Sequence, residues 1–555
     1  MGNEDGFVVP NVSAYDLLFA DLSDEDAVRV AIIDGHNGDQ TTYGELKARI
    51  DAFAGALAAR GIGIGDVVGL HAPNSSAFAV AFHGILRAGA TATTVNALYT
   101  KDETQKQLTM AGAVAHITVS ALAGGSVLAA QDAGIHDERI IVLDGYEDFS
   151  SAVQLLGEQN PAPEVSFDPA TQVAVIPFSS GTTGVPKGVM LSHRNIVANV
   201  VQCEERLGID PGERIIAVLP FFHIYGMTVL LNLALKARGT LVTMPKFDLP
   251  EFLRLIQDEK VSFAFIAPPI AVALAKHPLV DQFDLSSLRT ALSGAASLDE
   301  HLGKAVARRL DIEMLQGYGM TELSPVSHAF GRGMGDSLSL SSTGPVVPGT
   351  EDRLVDIDSG DDIPVPAEGR SASGELWVRG PQVMLGYLNN PEATASTLTD
   401  DGWLRTGDIA EYDADGHVYI VDRLKELIKY KGYQIAPAEL EALLLASDLV
   451  ADAAVVGEPV GDGGDEHPVA FIVPSGSSVT GPLSVTGPPS ATGPLSVTGP
   501  LSVTELVEVA DAIMAEINAK VAPYKKVRRV EFVDAIPKSA TGKILRKDLK
   551  ASLGS

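Results

Sequence analysis

"SSGTTGVPKGV", residues 179–189, holds three glycines, four hydroxyl side chains, one proline and one lysine. Glycines let backbone N–H groups converge on an anion, and hydroxyls add donors. The preceding "QVAVIPF" (172–178) is a short apolar run and predicts a buried strand. In the following "SHRNIVANVVQC", Ser192 stands at an N-cap position, and Ile196, Val197, Val200 and Val201 recur at helical spacing. A strand before the loop and a helix after it would set those donors near a positive helix end. Lys187 adds a mobile point charge, so phosphate is the expected guest. The Walker A spacing is not met, because Pro186 precedes the lysine and Gly188 follows it. A P-loop kinase or GTPase is therefore disfavoured.

Outward from the loop the same alternation continues. "RIIAVLPF" (214–221), "TLVTMP" (240–245), "SFAFIAPP" (262–269) and "RTALSG" (289–294) read as strands, with helical stretches such as "LPEFLRLIQDEK" between them. Strands alternating with helices imply an α/β fold with a parallel sheet covered on both faces. Residues 30–145 repeat the pattern, which predicts two doubly wound layers. From 350 to 420 the segments shorten and turn β-rich, as in "GELWVRG" and "GHVYIVDR", predicting a small β-barrel or added sheet. The composition changes near 423, and the tail from 521 to 550 carries nine Lys/Arg against three Asp/Glu. A separate, locally basic α+β C-terminal domain follows, giving expected domains of 1–422 and 423–555. Within the second, residues 478–503 repeat a six-residue VTGPLS unit. Pro and Gly at every sixth position forbid a helix and disfavour a central strand, so a flexible surface insertion is expected.

Composition bounds the function. At 555 residues the chain is long for one domain, and its hydrophobic content of 46% is ample for large cores. A net charge of −30 argues against a general nucleic-acid binder. The one cysteine, Cys203, leaves no disulfide framework within the chain. The acidic "MGNEDGFVVP" lacks a signal-peptide pattern, and no apolar run is long enough to span a membrane. A cytoplasmic protein, monomeric or homodimeric, is the expectation.

Further motifs follow in order: "PFFHIYGM" (220–227), "GYGMTE" (317–322), "TGD" (406–408), "DRLKELIKYKGYQ" (422–434) and "PKSATGK" (537–543). With the opening loop they make the chain resemble the adenylate-forming superfamily of acyl-CoA synthetases, luciferases and peptide-synthetase adenylation domains. "LQGYGMTE", "ELWVRGPQVMLGYLNNPEAT" and "KYKGYQIAPAELE" look most like the 4-coumarate:CoA ligase branch. The resemblance spans nearly the whole chain and leaves out the VTGPLS repeat. It implies an N-terminal AMP-binding domain, a mobile C-terminal lid, and three small-molecule partners: a carboxylic acid, ATP with Mg2+, and coenzyme A.

By the same resemblance, Ser179, Ser180, Gly181, Thr182, Thr183, Gly184 and Lys187 cradle the β- and γ-phosphates. Gln316, Gly317 and Tyr318 belong to the nucleotide site, with the Tyr318 ring on adenine, and Thr321 donates to the α-phosphate. Glu322 is the implied Mg2+ ligand, since a hard cation with several phosphate oxygens needs few protein carboxylates. Asp408 accepts from the ribose hydroxyls and Arg423 adds a donor. Lys543 is implied to bridge the acid carboxylate and the α-phosphate. Lys425 matches the hinge, Lys429 and Gln434 match residues that assist catalysis, and Lys431 and Gly432 match residues near the coenzyme A tunnel. His223, Tyr225, Gly294, Ala295, Gly319, Pro325 and Val326 are expected to line the acid pocket, with His223 as gate or carboxylate neighbour. None of Phe221 through Met227 is acidic, so the ammonium of an amino acid would lack a partner there. The expected reaction is formation of an acyl-adenylate and then a coenzyme A thioester, from 4-coumarate or a related hydroxycinnamate. The alternatives are a medium-chain fatty acid as substrate, a carrier protein as acceptor, or a nucleotide-binding regulator with a dead site.

Overall fold

The structure, a computed structural model, describes residues 6–179, 186–296, 298–334, 339–430, 433–460, 465–475, 483–486, 503–539 and 542–553. The chain divides into two compact units. One comprises Met1–Arg353, Trp377–Arg405 and Gly416–Val418; the other comprises Leu354–Leu376, Thr406–Asp415 and Tyr419–Ser555.

The first unit is built on two sheets. In one, the strands run in the order Val326–Ala329, Glu313–Gly319, Thr290–Ser293, Phe263–Ile266, Arg214–Ala217, Thr240–Thr243, Val30–Asp34, Gln40–Thr42. Its interior pairs are parallel, and the strand at each edge is antiparallel to its neighbour. In the other, Val173–Val175, Thr91–Thr94, Val67–His71, Ala113–Thr118 and Ile140–Val142 are parallel. The inner strands are buried along nearly their whole length, as helices on both faces require. Phe263 and Phe265 are fully buried, as are Ile215 and Ile216. The two sheets do not divide the sequence into successive halves. Val30–Asp34 leaves the layer of its sequence neighbours and pairs with Thr240–Thr243, Ile32 opposite Leu241.

The expected strand–loop–helix at residues 172–203 is corrected in one respect. A strand, Lys187–Ser192, follows the loop directly and pairs antiparallel with Phe178–Ser179, Ser179 opposite Lys187. The loop therefore joins the strands of a hairpin. The helix His193–Leu207 begins at the far end of the second strand, and its positive terminus is not the loop's. Ser192 does cap that helix, accepting from the Asn195 N–H at 3.1 Å.

In the second unit, the strands Val450–Val460, Asp465–Pro474, Arg529–Phe532 and Leu483–Thr486 form a sheet in that order. The helices Pro437–Leu445 and Val503–Asn518 supply Leu440, Leu444, Ile513 and Ile517 to a core shared with Val455, Ile472 and Phe532. A strand inside the VTGPLS repeat was not expected. It is only four residues long and sits at the sheet edge, paired with Arg529–Phe532 alone. A further five-stranded sheet occupies residues 351–423. Among the described residues no helix is long and apolar enough to cross a membrane.

Candidate active site

Two residues expected at the phosphates and the expected Mg2+ ligand meet in the first unit. Ser179 and Lys187 face each other across the hairpin, and the Ser179 hydroxyl lies 3.5 Å from Oε1 of Glu322. Glu322 is buried in a short turn, Thr321–Leu323, directly after the Glu313–Gly319 strand. The same Oε1 accepts a hydrogen bond from the Tyr387 hydroxyl at 2.8 Å, while Lys187 Nζ stands 4.6 Å from the centre of the Tyr387 ring. Burial, and then the Glu322 charge, push the Tyr387 hydroxyl up, so it stays a donor. Ser180, Gly181, Thr182, Thr183 and Gly184 lie outside the described residues. The donor set suits Mg2+: one carboxylate and a hydroxyl beside a cation, with phosphate oxygens left to complete the shell.

Neighbouring elements hold this cluster. Asn195, in the first turn of the His193–Leu207 helix, donates to the carbonyls of Pro381 and Val383, each at 2.9 Å. Ser324 donates to the Gln382 carbonyl, and the Met384 N–H donates to the Glu322 carbonyl. Gly386–Tyr387 then pairs with the hairpin strand, Tyr387 opposite Val189. Gln316 braces the wall: its amide donates to the Leu340 and Ser342 carbonyls and accepts from the Leu298 N–H, all at 2.8 Å. Gly317 continues that strand, and the Tyr318 ring meets His328 edge-on at 5.9 Å. Thr321 opens the turn that carries Glu322.

Of the residues expected around the acid, His223, Tyr225 and Gly294 meet in one group and Gly319, Pro325 and Val326 in another. His223 Nδ1 accepts from the Tyr225 N–H at 3.2 Å, and burial lowers the His223 ring to about 4, so it is neutral at pH 7. Tyr225 begins a π-helix, Tyr225–Asn232, and its hydroxyl lies 3.4 Å from the Leu292 carbonyl. A Cβ at Gly294 would stand 2.9 Å from the Tyr225 ring, and one at Gly319 would stand 2.2 Å from the Pro325 carbonyl oxygen. Small residues are thus required at both positions. Ala295 holds a left-handed φ of 71° two residues past the strand Thr290–Ser293. Asn199 clasps Val326 from both sides, accepting from its N–H at 3.0 Å and donating to its carbonyl at 2.7 Å.

The second unit gathers another set. Asp408 is buried on the strand Leu404–Tyr412, and Arg423 Nε lies 3.4 Å from its Oδ1. Lys543 sits in a tight turn closed by the Ser539 N–H on the Lys543 carbonyl at 2.8 Å. Gly542, at φ +84°, permits that turn. Burial lowers the Lys543 ammonium to about 8, Arg423 pushes the same way, and Glu426 and Asp408 oppose both. Arg546, three residues on, binds Glu426 and Glu441 and donates to the Val455 carbonyl. Lys425 is exposed beside Glu426, and Lys429 and Gln434 are register partners in a two-stranded ribbon. Lys431 and Gly432 lie outside the described residues.

Tyr387, Asn195, Asn199 and Arg546 were not singled out from sequence. An aromatic in "MLGYL" reads as core, and an asparagine in a helix's first turn reads as a cap. Only the pairing of distant segments gives them partners in the site.

A family model described as AMP-binding enzyme matches residues 20–388, and one described as AMP-binding enzyme C-terminal domain matches residues 439–543. The sequence is 40% identical to 4-coumarate–CoA ligase 5 of Oryza sativa subsp. japonica, over 98% of this chain and 94% of that protein. It is 39% identical to 4-coumarate–CoA ligase 1 of Solanum tuberosum, over 99% and 96%. Among solved structures, ATP-bound MatB from Rhodopseudomonas palustris is similar at a TM-score of 0.82 and 27% identity, covering 98% of this chain and 99% of that one. A benzoate CoA ligase from Burkholderia xenovorans LB400 is similar at 0.82 and 26%, covering 97% and 100%.

Proposed function

The chain belongs to the AMP-binding enzyme family, and on that premise we propose that it is an ATP-dependent acid–thiol ligase acting on 4-coumarate or a related hydroxycinnamate. The acid's carboxylate attacks the α-phosphorus of ATP and pyrophosphate leaves. The thiol of coenzyme A then attacks the acyl carbonyl and AMP leaves. Activation is needed because a carboxylic acid has no good leaving group of its own, whereas AMP departs readily.

The convergence of Ser179, Lys187 and Glu322 carries this reading. A hydroxyl, a cation and a single carboxylate side by side suit a polyphosphate with Mg2+; Glu322 would hold the ion, which would neutralise phosphate charge. Neutral His223 beside Tyr225 supports an uncharged wall for the acid pocket. The full-length likeness to 4-coumarate–CoA ligases supports the choice of acid. In the second unit, Lys543 bridges carboxylate and α-phosphate during adenylation, and residues 423–555 act as a lid that withdraws it before thiol attack, turning at Lys425.

The test is ATP–pyrophosphate exchange with a panel of hydroxycinnamates and medium-chain fatty acids, followed by thioester formation with free coenzyme A. Exchange should be greatest with the hydroxycinnamates. No exchange with any acid would overturn the proposal and favour a dead nucleotide site.

A further inference from the structure

Glu322 and Lys187 come from segments far apart in sequence, and one side chain touches both. The Tyr387 hydroxyl donates to Glu322 Oε1 at 2.8 Å, and the face of its ring lies 4.6 Å from Lys187 Nζ. Its backbone is tied to the same two segments. The Leu385 N–H donates to the Met190 carbonyl and the Leu388 N–H to the Gly188 carbonyl, on the strand that carries Lys187. The Met384 N–H donates to the carbonyl of Glu322 itself. The Tyr387 N–H is capped by Thr394 Oγ1 at 2.9 Å, which fixes the strand's exit.

We propose that Tyr387 is a positioning residue with two separable actions: its hydroxyl orients the Glu322 carboxylate for the metal, and its ring seats the Lys187 ammonium for the phosphates. The inference rests on the reading of Glu322 and Lys187 given under the proposed function. The hydroxyl action follows from acceptor geometry. A carboxylate with one oxygen held by a neutral donor keeps its other oxygen aimed and unblocked, and outer hydrogen bonds of this kind fix ligand orientation. The ring action follows from the attraction of a cation to an aromatic face, which holds a flexible lysine at little entropic cost. A purely structural tyrosine would need neither contact.

Two substitutions separate the actions. Tyr387→Phe keeps the ring and loses the donor; Tyr387→Leu loses both. The probes are Mn2+ binding in the presence of a non-hydrolysable ATP analogue, followed by electron paramagnetic resonance, and binding of the same analogue without metal. Tyr387→Phe should weaken Mn2+ binding by about 10-fold, the low end for loss of an outer-shell partner, and leave metal-free analogue binding at the wild-type value. Tyr387→Leu should weaken both. Wild-type Mn2+ affinity in Tyr387→Phe would overturn the hydroxyl action, and wild-type metal-free binding in Tyr387→Leu would overturn the ring action. If the unmodified protein bound the analogue with no metal dependence, the reading of Glu322 would fall first and this inference with it. Circular dichroism melts of both variants separate a loss of fold from a loss of position.

Discussion

At the scale of the residue, Lys543 is the group whose charge state decides the most. Burial, reinforced by Arg423, brings its ammonium down to about 8. A lysine that bridges two anions works only when protonated. The protonated fraction falls as pH rises through that value, so kcat/KM for pyrophosphate exchange should be level near neutrality and decline above about pH 8. A profile from about pH 6.5 to about 9.5 checks this. Rate holding level to the top of that range would mean that the free enzyme does not keep Lys543 in this environment. The lysine itself was legible in "ATGKIL", because a motif names its residue. Its surroundings were not, since Glu426, Glu441 and Arg546 are brought together by folding.

At the scale of the element, most of the core was legible and the loop's own setting was not. The runs at 214–221, 240–245, 262–269 and 289–294 became the strands Arg214–Ala217, Thr240–Thr243, Phe263–Ile266 and Thr290–Ser293. Continuous apolarity between turn signals leaves few other choices. "KGVMLS" is ambiguous, for six residues suit a strand or a helix entry equally, and antiparallel partners at 178–179 and 386–387 decide it. The strand Leu483–Thr486 raises a related point. "LSVT" recurs at residues 495–498, after the same Gly-Pro pair. Excising residues 483–494 would therefore place an identical tetrapeptide opposite Arg529–Phe532. The excised protein should keep its stability to within about 1.2 kcal/mol, because the connection to Val503 falls from sixteen residues to four and each halving changes the closure cost by only about 0.6 kcal/mol. A melting temperature lower by several degrees would show that the copies are not interchangeable.

At the scale of the whole molecule, the chain folds as two units, and the proposed chemistry has two steps. Lys543→Ala should slow adenylation by roughly 10²-fold or more, the scale for losing one preorganised charge. It should spare thioester formation from a supplied acyl-adenylate, because in the proposed cycle the lysine withdraws before that step. Single-turnover measurement of each half-reaction gives the answer, and equal damage to both would contradict an alternating lid. The interleaved sheets have a consequence for biosynthesis. Val30–Asp34 can complete its pairing with Thr240–Thr243 only after roughly two hundred further residues have left the ribosome. At about 5–20 residues per second, that is about 10–40 s. For that interval one edge of an apolar strand waits unpaired, so nascent chains of intermediate length are the ones that need shelter from a chaperone.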